Sequence, residues 1–142
     1  MAPPGTEQYR GLKPASEGVT FTNVHLSLPG GHGAMSTGVP SDSGDYNPRS
    51  IGTRPAYGWY LHEVSNITFN ASTVDFGKND GRPAFLANAG NNITLDHFTA
   101  EHGSGSPFDI GFQNITGFCV RSPALSNGGT PNVNSSGSSK SC

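Results

Sequence analysis

The residues able to do chemistry in this chain are sparse and scattered. Ten of its 142 residues are Asp or Glu, eight are Lys or Arg, and five are His. Asp75, Asp80, Asp96 and Asp109 fall in different segments. Paired acid–base chemistry needs two carboxyl groups that face one substrate. Only stacking of distant segments brings two of these together. Glu101 and His102 are adjacent, so on a strand they point to opposite faces and cannot act on one atom. His25, His32, His62, His97 and His102 lack the close helical spacing of zinc motifs, and no Cys pair joins them. No metal site and no cofactor is expected. Gly31-His32-Gly33 opens a turn-rich stretch, which makes His32 a candidate for substrate contact and, equally, part of a Gly-rich turn.

Tyr57, Trp59 and Tyr60 form the dense aromatic cluster. Aromatic faces stack on sugar rings, so Tyr57 and Trp59 are candidate substrate contacts. Their alternation also puts Tyr57 and Trp59 on one face of a strand and Tyr60 on the other, which is how core packing would use them. Cys119 and Cys142 are the two cysteines; they permit one disulfide, pinning the tail to the last repeat, or equally a free buried thiol and a loose terminal one. Five Asn-x-Ser/Thr sequons, at Asn66, Asn70, Asn92, Asn114 and Asn134, are candidate glycosylation sites.

The elements that must position these residues emerge from an internal repeat. VTFTNVHLSL from Val19, ITFNASTVDF from Ile67 and ITLDHFTAEH from Ile93 align without gaps, and ITGFCV from Ile115 matches in part. With the first apolar residue counted as zero, apolar residues fall at offsets zero, two, five and seven. Alternation from zero to two puts them on one strand face. The step from two to five breaks that parity, so each unit reads as strand, bend, strand. Pro55, Pro83 and Pro107 open the segments before Ile67, Ile93 and Ile115, and Asn66, Asn92 and Asn114 close them. Asn tolerates the left-handed backbone a corner needs. The units are then 26 residues long from Ile67 to Ile93 and 22 from Ile93 to Ile115. The interval from Val19 to Ile67 is 48 residues, which is two units or one unit with an inserted loop.

Repeats of this kind stack like residue on like residue. The expected fold is all-β: a right-handed parallel β-helix of about four coils with a disordered C-terminal tail. Residues 1–18 are an N-terminal segment or incomplete coil, 19–121 the coils with an inserted loop at 29–53, and 122–142 a low-complexity tail. A net charge of −2 gives no basic footprint for nucleic acid or an anionic membrane. No apolar run approaches the roughly 20 residues of a membrane-spanning helix. An upper coil that begins at Val19 would leave strand edges open to self-association.

The run PAYGWYLHEVSNITF, the SLPGG before it and the later GRPAFL resemble the C-terminal coils of pectin-lyase-fold proteins. The closest likeness is to the polygalacturonase and rhamnogalacturonase family of glycoside hydrolases, over roughly residues 17–121. That resemblance implies a secreted enzyme acting on a pectin-like polysaccharide with inversion. The family draws its carboxylates from an Asn-Thr-Asp motif and an Asp-Asp pair, followed by Gly-His-Gly and Arg-x-Lys. This chain has Gly31-His32-Gly33 but no Asn-Thr-Asp, no adjacent Asp pair and no Arg-x-Lys. The expectation is therefore the C-terminal part of a secreted polysaccharide-degrading hydrolase, inactive alone. The alternative is a non-catalytic β-helix module for glycan binding, adhesion or structure.

Overall fold

The computed structural model describes residues 18–35 and 55–142. Ten strands run in chain order: β1 (Val19–Thr22), β2 (His25–Gly30), β3 (Trp59–Asn70), β4 (Thr73–Lys78), β5 (Phe85–Asp96), β6 (Thr99–Ala100), β7 (Ile110–Arg121), β8 (Ala124–Leu125), β9 (Val133–Ser136) and β10 (Ser139–Lys140). Every pairing among them is parallel. One sheet has the order β1-β3-β5-β7-β10, with β9 also on β7, and the other has the order β2-β4-β6-β8. The chain is thus a parallel β-solenoid. Among the described residues, β3–β4, β5–β6 and β7–β8 make three full coils, with β1–β2 stacked before them and β9–β10 after. The expected N-terminal segment lies outside the described residues except for Gly18, and residues 36–53 of the expected loop lie outside them as well.

Left-handed backbone marks the corners. Asn23, Ala71, His97 and Ser122 all have φ between 49° and 55°. Each follows the first strand of its coil and forms the bend foreseen between offsets two and five. Asn66 and Asn92 (φ 58° and 56°) form a second corner, level with Gly117 (φ 82°). A third lies three residues earlier, at Glu63, Ala89 and Asn114 (φ 58°, 61° and 56°). Such φ values disfavour most L-residues, so Asn and Gly at these places lower the cost of turning.

The interior is a stack of side chains. Ile67 and Ile93 pair across adjacent coils, as do Phe69 and Leu95, and all four are essentially buried. Phe69 lies at the centre of an aromatic column. Its ring centroid is 4.8 Å from Phe21, 4.8 Å from Trp59 and 5.5 Å from Phe85. A smaller apolar cluster sits outside the coil, where Tyr60 and Leu86 take the opposite parity and are covered by Ala56 and Phe108. Gly111, next in that row, has no side chain because the Phe108 ring occupies its place.

The structure chooses between the two readings of one interval and changes three expectations. First, Val19 pairs directly with Ile67, so the 48-residue interval is one coil with an insertion. Second, the last unit is out of register by three residues. Ile93 pairs with Phe118, whereas Ile115 pairs with Gly90, so this coil is 25 residues long and not 22. The Asn-Ile-Thr phrase at Asn114 therefore serves an earlier corner than the same phrase at Asn66 and Asn92. Third, the prolines do not stack. Extending the register of Trp59, Phe85 and Ile110 puts Tyr57, Pro83 and Phe108 on one rung. Fourth, the tail is built rather than disordered: it contributes β8, β9 and β10 and ends in a disulfide.

Candidate functional site

The connections that follow β2, β4 and β6 stack on one flank and carry the densest polar cluster. Its hub is Asp80, a fully buried carboxylate. Arg82 grips it with Nε on Oδ1 and one terminal nitrogen on Oδ2, both at 2.7 Å. The Arg82 amide donates to Oδ1 at 3.1 Å, and the His32 amide of the neighbouring coil donates to Oδ2 at 3.2 Å. Burial works to raise the Asp80 carboxyl, but these hydrogen bonds outweigh it and hold the group below the usual carboxylate range. Gly81 N donates in turn to the His32 carbonyl at 2.7 Å. The His32 imidazole is exposed, with Nδ1 at 2.6 Å from the Gly33 carbonyl. Gly31-His32-Gly33 is thus a turn clamped to the next coil through its backbone. Gly103 has to be glycine because a Cβ there would collide with the Asp80 carbonyl.

One coil further on, His102 Nδ1 lies 2.7 Å from Oδ1 of buried Asp109. The other oxygen, Oδ2, accepts from the Asn132 amide at 2.9 Å. His102 lies two residues past β6, and its side chain is 40% exposed. Glu101 accepts from the Phe76 amide at 3.0 Å, and its carbonyl accepts from the Tyr57 hydroxyl at 2.6 Å. Burial pushes the Tyr57 phenol well above its usual range, so it acts only as a proton-bearing donor.

A third group lies on the outer face of β2 and β4. The pairing of Ser27 with Asp75 brings Ser27 Oγ to 2.7 Å from Oδ1, and His25 Nε2 stands 2.6 Å from Oδ2. Hydrogen bonds from Ser27 and then from His25 hold the Asp75 carboxyl below its usual range. The residue types are those of a hydrolytic triad, but the wiring differs. A triad needs His between Ser and Asp, using a different ring nitrogen for each. Here Ser27 donates directly to Asp75, and the same Nε2 faces both partners (3.3 Å to Ser27). Ser27 gains no general base from this arrangement.

The structure places the sequence candidates as follows. Tyr57 and Trp59 are buried at 1% and 3% exposure, with Trp59 against Phe21 and Phe69 and Tyr57 edge-on to Phe76. Their faces belong to the core. Of the sequons, Asn70, Asn92, Asn114 and Asn134 are exposed and Asn66 is half-buried. Asn92 Nδ2 donates to Asn66 Oδ1 at 2.7 Å, an amide rung along the solenoid. Cys119 and Cys142 form a disulfide. Among the described residues, no three His, Cys, Asp or Glu side chains gather as a metal-binding set, and no helix is long and apolar enough to cross a membrane.

The sequence alone paired the residues of none of these three clusters. Ser27–Asp75 could have been found, because both stand at offset eight of the gapless alignment. Asp80–Arg82 lies in a connection without repeat, where no periodic signal exists. Comparison with protein-family models, with curated proteins and with solved structures finds no match.

Proposed function

We propose that this chain forms the C-terminal coils of a secreted, pectin-type polysaccharide hydrolase, supplying rigidity and closure rather than the reacting groups. The observation that carries this reading is the use made of the buried carboxylates. Asp80 is taken up by Arg82 and the His32 amide, and Asp109 by His102 and the Asn132 amide. Each ties one coil to its neighbour. A general acid and base pair needs carboxyls that face a substrate and a water. Of the acidic motifs shared by the resembling family, this chain carries none. The disulfide agrees with an oxidising compartment. The test is a reducing-end assay of the purified chain on polygalacturonate. No turnover is expected, and turnover abolished by Asp109→Asn or Asp75→Asn would overturn the assignment. Sequencing the transcript upstream of Met1 tests the parent enzyme: Asn-Thr-Asp and Asp-Asp motifs within a few coils are expected, and an in-frame stop directly before Met1 would sink it.

One observation favours a second reading, a non-catalytic glycan-binding module. The surface rung Asn66–Asn92 sets amide groups at the coil-to-coil spacing, with a hydrogen bond of 2.7 Å, while the like rung Asn88–Gln113 lies deeper, Asn88 being buried. Amides in such rows are donors and acceptors for sugar hydroxyls. Titration calorimetry with oligogalacturonides separates the readings, since binding by the isolated chain belongs to the second.

A further inference from the structure

The last partial coil, residues 126–142, is attached differently from the others. Its strands β9 and β10 are exposed throughout, and Val133, its one large apolar residue in a strand, is 41% exposed. Pro131, just before β9, is its one buried apolar residue, so it shares little of the core that binds the other coils together. Polar contacts hold it at its two ends. At the start, the Asn132 carbonyl accepts from the amides of Asp109 and Ile110, both at 3.0 Å, while its own amide donates to Asp109 Oδ2. In the second half, serine hydroxyls replace backbone rungs. Ile115 N donates to Ser138 Oγ at 2.9 Å and Gly117 N to Ser139 Oγ at 3.1 Å. Ser141 N then reaches the Phe118 carbonyl at 2.7 Å, and the adjacent Cys142 is bonded to Cys119. Cys119 is buried at 3% exposure, while Cys142 is exposed.

We propose that residues 126–142 are a redox-releasable cap, opened by a dithiol that attacks Cys142. The chemistry follows the accessible sulfur. A reductant thiolate bonds to Cys142 Sγ, the Cys142–Cys119 bond breaks, and Cys119 Sγ leaves as a thiolate that takes up a proton. The second thiol of the reductant then displaces Cys142 and closes its own disulfide. Two electrons pass to the protein, leaving two cysteine thiols and one oxidised dithiol. With the covalent anchor gone, the β7–β9 ladder and the serine-mediated rungs remain, with Pro131 as the one buried apolar side chain to support them. The cap opens and bares the outer edge of β7, whereas β3, β5 and β7 keep their mutual pairing and core. This inference stands apart from the functional proposal, since it concerns the chain's own stability and needs no substrate.

Hydrogen exchange read by mass spectrometry tests it on the whole chain, oxidised and after dithiothreitol treatment. Oxidised protein should protect the amides of 133–141. Reduction should speed exchange there at least tenfold and leave 85–121 unchanged. Cys142→Ser should match the reduced state without reductant, and Asp109→Asn should loosen 132–136 even with the disulfide intact. Unchanged protection of 133–141 after reduction would overturn the proposal. So would simultaneous loss of protection across 85–121, because the cap would then not be a separate unit.

Discussion

A fully buried carboxylate such as Asp80 is costly to desolvate, and its partners decide its effect. Breaking a buried ion pair by removing one partner typically costs about 3–5 kcal/mol. Asp80→Asn removes the charge that Asp80 sets against the guanidinium of Arg82, itself only 11% exposed. Urea denaturation at neutral pH should show a loss toward the lower end of that range. The pH dependence has a definite sign. The folded-state pKa of Asp80 lies below its ordinary value, so the stabilisation is complete above the unfolded value of about 3.9. It is lost as pH falls through the depressed folded value. The gap between native chain and Asp80→Asn should therefore narrow below about pH 4. A gap that stays constant down to pH 2 would rule out the ionic role. At this scale the sequence was informative only where the repeat reached. Ser27 and Asp75 share an offset and meet; Asp80 and Arg82 lie between repeats, and His102 closes one repeat while its partner Asp109 stands outside it, so only the stacking of connections brings these groups together.

The corners, more than the strands, carry the register. Asn66, Asn92 and Gly117 occupy equivalent left-handed positions in consecutive coils, and the first two share an amide hydrogen bond. Gly117 interrupts that row. A Cβ at Gly117 would meet Ser141 Cβ at 3.6 Å, an ordinary contact. The room is there, but the backbone at φ 82° lies beyond the 56–58° that Asn holds in the two earlier coils, so a side chain at this place is strained. Gly117→Asn should therefore cost about 1 kcal/mol. A lowered thermal midpoint in calorimetry is the expected result, and a rise would show that the corner takes Asn without strain. The same position explains the misread spacing. Asn114-Ile115-Thr116 copies the phrase that closes the two earlier coils, so pattern matching aligned it with them. The structure sets Gly117-Phe118 there instead, because Phe118 then stacks on Phe112 at 4.4 Å inside the coil. Two corners three residues apart accept the same Asn, and the side chain filling the interior decides between them.

At the scale of the molecule, the two ends of the described solenoid are unlike. The far end finishes in short polar strands with a disulfide, the manner in which sheet edges are blunted. At the near end, Val19, Phe21 and Leu26 are only partly buried, although their counterparts Ile67, Phe69 and Val74 are fully enclosed. Concentration-dependent association is expected in sedimentation velocity, and Phe21→Ser should suppress it; a monomer at all concentrations would count against an open near edge. The fold class and strand–bend–strand unit were legible because every coil repeats them. The ordered tail was not, since its Ser, Asn and Gly look like low complexity and its order depends on β7 beside it. The parallel stacking also makes the molecule mechanically anisotropic. All the rungs between coils point along one axis, so tension along that axis strains them one layer at a time, like a zip. Tension across it strains every rung of a strand together. Between the third coil and the last partial one, the Cys119–Cys142 bond is the covalent stitch in that zip, and a pull on the C-terminus meets it before any hydrogen bond of the core bears load.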